Sequence, residues 1–333
     1  MRYIIRHQFR DMLMGGNEFY VTSLFKNILR ELKVLYPQDT FDIEVDPNYE
    51  KYGQGSIFSC MSFSIINPNN NQYILISLFD NWKYHFMKHL GWQPKNMKQF
   101  FYAGGFNYLD YFNFKKTSLG NNDVEFPEDI SKVYNTFFYN TYFDCCYDKI
   151  SEIYDNGREK EKIKKLFFRG WMWDSRKLMT NQINREDVLI IDKNVNNQNL
   201  TYIDYLTEMS NYSVSLSLPG GTEVCNRDIE CFAIGVPVLR PHLQINYPDP
   251  LIPNYHYINS YHSCDYTDGG NAKYLSYSDF QNNLLYTWDM VKDNKEYLDF
   301  ISENARNWFL RNSRMEKNVD FFLKNINLQL INE

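Results

Sequence analysis

The chain has 333 residues, is 44% hydrophobic and 23% charged, and carries a net charge of −6 from 35 basic and 41 acidic side chains. That length can bury more than one core and predicts two domains, and the composition excludes a disordered chain. The acidic balance, with both signs interspersed, excludes a general nucleic-acid binder, which needs a basic face to release counterions.

In the N-terminal half, Tyr3-Ile4-Ile5 reads as a first strand leading into the loop Met14-Gly15-Gly16-Asn17. Phe19, Leu24, Phe25, Ile28, Leu29 and Leu32 then repeat at helical spacing. Phe41 to Val45 alternates as a strand does. Ile57 to Ile66 and Tyr73 to Phe79 are two more, separated by an Asn-Pro-Asn-Asn-Asn turn. Asp80-Asn81 has the chemistry to cap a helix reaching about His89. Gly104-Gly105 breaks the chain behind the strand around Phe100-Phe101-Tyr102, and the stretch from Val133 to Tyr154 is predicted to be helical.

Composition shifts at Asp155-Asn156-Gly157-Arg158-Glu159, which places a domain boundary between residues 155 and 156. Beyond it strands and helices alternate. Ile163 to Phe168 is a strand ending in Arg169-Gly170, and Asp174 opens a helix to about Ile183. Val188 to Ile191 is a short buried strand, Tyr202 to Met209 a helix, and Val214 to Leu218 the next strand. A Pro219-Gly220-Gly221 turn, a short amphipathic segment from Asn226 to Ile234, and a second apolar run from Val236 to Leu239 follow. This alternation implies a doubly wound parallel sheet. Long helical segments fill Tyr277 to about Leu330.

The six cysteines include the adjacent pair Cys145-Cys146 but no CxxC, so neither a zinc site nor a disulfide framework is indicated and a reducing compartment is expected. MRYIIRHQF is too short in its apolar part for a signal peptide, and no run approaches a membrane span. A cytoplasmic protein is expected, in host cytoplasm if the gene is viral. The 27 Tyr and 25 Phe fit an AT-rich gene, and also an aromatic-lined carbohydrate groove.

Open parallel sheets bind ligands outside the carboxyl ends of their strands, where Arg169-Gly170 and Gly220-Gly221-Thr222 both fall. The segments "LFFRG", "YLTEMSNYSVSLSLPGGTEVCNRDIECFAIGVPVLRP" and "YHYI", between Lys164 and about Ile258, resemble the donor-binding domain of GT-B glycosyltransferases. They are most similar to the exostosin-like and CAP10-like groups, which carry an arginine near a helix start and a glycine turn of this kind. The resemblance implies an α/β fold of two facing Rossmann-like domains with C-terminal helices. Residues 1–155 would form the acceptor-side domain and residues 156–333 the nucleotide-sugar-binding domain. It further implies transfer of a sugar from a nucleotide-sugar donor to a glycan or other hydroxyl acceptor. Inversion is expected from the resemblance alone. The nucleotide-sugar is a substrate, so no cofactor is expected. No Asp-x-Asp occurs, which points to metal-independent chemistry.

In that frame arginines and a helix N-terminus meet the donor diphosphate. Arg169 is either a phosphate ligand or a buried structural arginine, and Arg176, in the first turn of the next helix, could assist it. Arg227 and Glu230 are either ligands of phosphate and ribose or a surface i,i+3 ion pair. Glu223 could meet sugar or ribose hydroxyls, and Asp228 reads as a cap. Glu223 and Glu230 are seven positions apart, not the eight of the retaining-family motif, so that motif's roles do not transfer directly. Gly15 and Gly16 either face the donor phosphates or form an ordinary turn. Asp80 is the first choice for the base that takes the acceptor proton, with a plain N-cap as its alternative and Glu18, His7 and Asp110 in reserve. His85 and His89 lack a zinc protease's glutamate and read as structural. GxGxxG and GxxxxGK[ST] are both absent, excluding a dehydrogenase and a P-loop NTPase. A catalytically silent sugar- or nucleotide-binding protein on the same fold is the competing reading.

Overall fold

The computed structural model describes residues 1–7, 19–45, 62–77, 96–102, 133–136, 142–172, 174–193, 195, 200–219, 225–243, 247–260, 265–268, 271–273 and 276–333. By contact the chain divides into two units, residues 1–142 with 245–248 and 314–333, and residues 143–244 with 249–313.

In the first unit, strand β1 (Arg2–His7) runs into helix α1 (Phe19–Leu35) and returns as β2 (Thr40–Val45), parallel to β1. A hairpin of β3 (Ser62–Ile66) and β4 (Tyr73–Ser77) follows, then β5 (Met97–Tyr102) and β6 (Val133–Asn135). The sheet order is β2-β1-β3-β4-β5-β6. Only β3 runs antiparallel to its neighbours. The sheet is therefore parallel-rich and mixed. The hairpin turn is built by asparagines: Asn71 takes φ +58°, the Asn67 carboxamide accepts from the Asn69 N–H, and that of Asn70 from Gln72.

The expected helix from Val133 begins instead as strand β6. Val-Tyr-Asn pairs parallel with β5, and the Tyr134 ring stacks on Phe101 with centroids 4.9 Å apart. Cross-strand pairing outweighs the helical pattern there. Helices α2 (Tyr142–Cys145) and α3 (Tyr147–Glu159) come only later, in the second unit from Phe143 onward, and residues 155–159 form the last turn of α3.

The helix Met315–Asn325 belongs to the first unit. Val319, Phe322, Ile326, Leu328 and Ile331 join Tyr3, Ile5, Phe25, Ile28 and Phe101 in one buried cluster. Gln99 fixes the docking by donating to the Asn325 carbonyl (2.8 Å) and accepting from the Asn327 N–H (2.9 Å).

The second unit contains β7 (Ile163–Gly170), α4 (Asp174–Thr180), β8 (Val188–Asp192), α5 (Tyr202–Ser210), β9 (Tyr212–Leu216), α6 (Asn226–Ile234), β10 (Val238–Arg240) and β11 (Ile258–Asn259). All five strands are parallel, in the order β11-β10-β9-β7-β8. A two-stranded ribbon, β12 (Asp265–Asp268) and β13 (Asn271–Lys273), precedes α7 (Tyr277–Val291), α8 (Lys295–Asn312) and α9 (Met315–Asn325), the last being the helix just placed in the first unit. Leu166, Phe168, Leu216, Leu218, Leu239 and Ile258 from the sheet bury against Phe280, Leu284, Trp288, Leu298 and Ile301 from α7 and α8. Gly235 ends α6 at φ +63°, with its N–H bonded to Phe232 O and its carbonyl accepting from Ser302.

This strand order has one topological consequence. The chain leaves β7 toward β8 on one side and recrosses to β9 on the other. The switch point therefore falls between β7 and β9, and sheets of this kind hold ligands in the crevice at the carboxyl ends of such strands.

Candidate functional site

Arg169 and Gly170 end β7 at that crevice, and α6 begins beside it. The Arg227 guanidinium, on the first turn of α6, lies over the Phe168 ring at 4.1 Å and donates from Nη2 to the Arg169 carbonyl. A Cβ on Gly170 would meet that Nη2 at 2.8 Å, so glycine is what lets the arginine reach the strand. Arg227 is only 5% exposed, and its Nε and Nη1 have no hydrogen-bond partner among the described residues. Burial opposes its charge, but Tyr205, Cys225, Cys231 and Glu230 outweigh that and hold its pKa above the ordinary arginine value.

Glu230, one turn further along α6, is also buried and faces the same space. Burial pushes its carboxyl up to about 7, against the opposing pull of Arg227, Lys193 and the nearby Tyr205 hydroxyl. Of the two readings of Arg227 and Glu230, the surface ion pair does not hold, because both side chains are buried.

Arg169 is held in a fork by Glu208 of α5, with Nε at 2.5 Å and Nη2 at 2.6 Å from its two oxygens. Its Nη1 has no partner among the described residues. Arg176, in contrast, is spent on backbone. It donates to the carbonyls of Trp171 (2.9 Å), Leu218 (2.9 Å) and Pro219 (3.0 Å), tying together the segments that leave β7 and β9. That is a positioning role for the crevice walls.

Asp228, read as a cap, is tied up within the fold. Its Oδ2 accepts from the Cys225 N–H at 3.2 Å, capping α6, and from Arg240 Nη1, a partner at the end of β10. Both side chains are buried, 1% and 2% exposed, so the carboxylate is neutralised internally rather than presented to a ligand.

Three residues that the sequence reading did not single out complete the cluster. Lys193, just past β8, lies 5.3 Å from the Tyr205 ring centroid. Burial lowers its pKa, Glu230 and Glu208 raise it, and Arg227 and Arg169 lower it, which places all four within electrostatic reach. Tyr205 lies within electrostatic reach of Arg227 and Glu230, and burial lifts its phenol well above the ordinary value. Glu208 fixes Arg169. The only sequence signal was position: Lys193 follows a short apolar strand, which the fold leaves half-buried, and Tyr205 and Glu208 share one face of a helix entering β9.

Gly220, Gly221, Thr222 and Glu223, together with Gly15, Gly16, Asp80, Glu18, Asp110, His85 and His89, lie outside the described residues. His7 is described: it ends β1, buried against Phe25, and burial lowers its pKa. Among the described residues no helix is long and apolar enough to cross a membrane.

No family model matches the chain, and no curated protein matches it. Solved structures similar to it include a glycosyltransferase from Rickettsia africae ESF-5, 10% identical with a TM-score of 0.43, over 93% of this chain and 82% of that one. Another is TarM, 11% identical with a TM-score of 0.37, over 71% of this chain and 44% of TarM. The chain thus spans under half the length of TarM. Neither likeness is close enough to bear on activity, which has to be read from the side chains at the crevice.

Proposed function

We propose that the chain is a GT-B-type, metal-independent glycosyltransferase of exostosin-like or CAP10-like character, moving a sugar from a nucleotide-sugar to a glycan or other hydroxyl acceptor. The observation that carries this reading is Arg227. A guanidinium with two buried donors unpartnered among the described residues, at the N-terminal turn of α6 and the β7–β9 switch point, is a built anion site. An unsatisfied buried donor costs roughly 1–3 kcal/mol, more when charged, and a bound phosphate relieves that cost.

In this proposal the α6 N-terminus, Arg227, Lys193 and the free Nη1 of Arg169 receive the diphosphate, with the Gly220-Gly221-Thr222 turn lending backbone N–H groups. Glu230, with Glu223, accepts hydroxyls of ribose or sugar. Gly15 and Gly16 are further candidates for contact with the phosphates. Arg176 holds the crevice walls rather than the ligand. Asp80 takes the acceptor proton as the nucleoside diphosphate leaves, and the cations stabilise the charge that develops on that leaving group.

The test is a thermal-shift panel of nucleoside diphosphates and nucleotide-sugars in EDTA, followed by nucleoside diphosphate release with a panel of hydroxyl acceptors. Stabilisation by one nucleotide class together with its release on adding an acceptor is the expected result. Stabilisation by NAD(P) alone overturns the donor-site reading. Binding without release under any acceptor favours the silent binder.

A further inference from the structure

Cys145 is the last residue of α2, and Cys146 is the N-cap residue of α3. Their sulfurs lie 3.6 Å apart, in hydrogen-bond contact. Cys145 is exposed and Cys146 half-buried, whereas Cys231 is fully inside. The Cys146 side chain makes no capping bond to α3, so it is not committed to the helix. The neighbouring Phe143 is buried edge-on to Phe309, with centroids 5.2 Å apart, and anchors the short helix that carries the pair.

We propose that Cys145 and Cys146 form a vicinal dithiol that closes to an intramolecular disulfide with oxidants of the glutathione disulfide class and, when reduced, chelates one trivalent arsenical. The Cys145 thiolate attacks one sulfur of glutathione disulfide, whose S–S bond breaks, and the first glutathione leaves as a thiolate and takes up a proton. The Cys146 thiolate then attacks the Cys145 sulfur and expels the second glutathione. Two S–H bonds are lost, one protein S–S bond forms, and glutathione disulfide is reduced to two thiols.

The second step is favoured by proximity, because the attacking sulfur is already in contact with its target. The first step is slow at neutral pH: burial, the Cys146 contact and nearby Asp144 push the Cys145 thiol up to about 11. Its rate should climb about tenfold per pH unit from pH 7 to 10, since the thiolate is the nucleophile. Adjacent Cα atoms sit about 3.8 Å apart, closer than in ordinary bridges, so the closed ring is strained and a dithiol reductant reopens it.

The experiment uses the full chain. After treatment with glutathione disulfide, thiols titrated in denaturant should fall from the six of the sequence to four. Intact mass should fall by two hydrogens, with the bridge mapped to the peptide holding both cysteines. Phenylarsine oxide should bind the reduced protein at one equivalent, with that binding lost in Cys145→Ser and in Cys146→Ser. A stable glutathione adduct without ring closure, or a two-thiol loss that persists in both serine variants, overturns the proposal. So does arsenical binding that survives both substitutions.

Discussion

Replacing Glu230 by Gln should remove a specific pH dependence of stability. The carboxyl is 7% exposed and is lifted from its ordinary 4.5 to about 7, with burial the largest cause. The folded chain therefore holds this proton to higher pH than the unfolded chain does. Its stabilising contribution is complete below about pH 4.5 and is lost as pH rises toward 7. At about 1.4 kcal/mol per pH unit, the difference between 4.5 and 7 is on the order of 3 kcal/mol. Gln keeps the shape and the neutral charge at every pH. Unfolding free energies of both proteins, measured by denaturant titration from pH 4.5 to 8, should agree at the acid end. They should then diverge, with Glu230→Gln ahead by up to that amount at pH 8. Parallel curves for the two proteins would refute the reasoning, because they would mean that Glu230 titrates as an exposed carboxylate does.

Arg176→Met leaves the carbonyls of Trp171, Leu218 and Pro219 without their donor and should cost about 3–9 kcal/mol of stability at about 1–3 kcal/mol per group; a change below about 1 kcal/mol in the urea midpoint analysis would contradict the positioning role. Arg240→Met strands the buried Asp228 carboxylate and should cost about 3–5 kcal/mol, while Arg240→Met with Asp228→Asn should recover most of it. Additive losses in that double-mutant cycle would show that the two do not act as a pair. Asp80→Asn, which keeps capping ability, should cut turnover by roughly 10²–10⁴-fold with little change in melting temperature if Asp80 is the base, and full activity would remove it from that role.

The second unit was legible because its strands are short apolar runs bounded by turn residues. Val188 to Ile191 and Val214 to Leu218 could be little else, and the sheet's parallel order follows from the alternation with helices. The first unit was less so. The hairpin β3–β4 carries no sign in its own sequence that β3 runs antiparallel in the sheet, and the three residues of β6 are too few to stand out from the helical pattern of the sequence around them. The return of α9 to the first unit depends on Phe322 and Ile331 joining Tyr3 and Phe101 in one cluster, residues some 220 to 330 positions apart that no local pattern links.

At the crevice the sequence showed which residue types collect there but not which were already taken. Arg169, Arg176 and Arg227 look alike in sequence. In the fold one is forked by Glu208, one is consumed by carbonyls and one keeps two donors open. Lys193 and Tyr205 went unnoticed because they join the cluster through β8 and α5 rather than through the glycine turn.

The central claim is that the β7–β9 crevice binds the diphosphate of a nucleotide through Arg227. Isothermal titration of a panel of nucleoside diphosphates into the full chain and into Arg227→Ala, both in EDTA, tests it most directly. A charge-assisted bond is worth roughly 1.5–3 kcal/mol, so the variant should bind the preferred nucleotide on the order of 10- to 100-fold more weakly, with melting temperature unchanged or raised by loss of the two unsatisfied donors. Equal affinity in the two proteins, or binding that disappears from the wild type in EDTA, would contradict it.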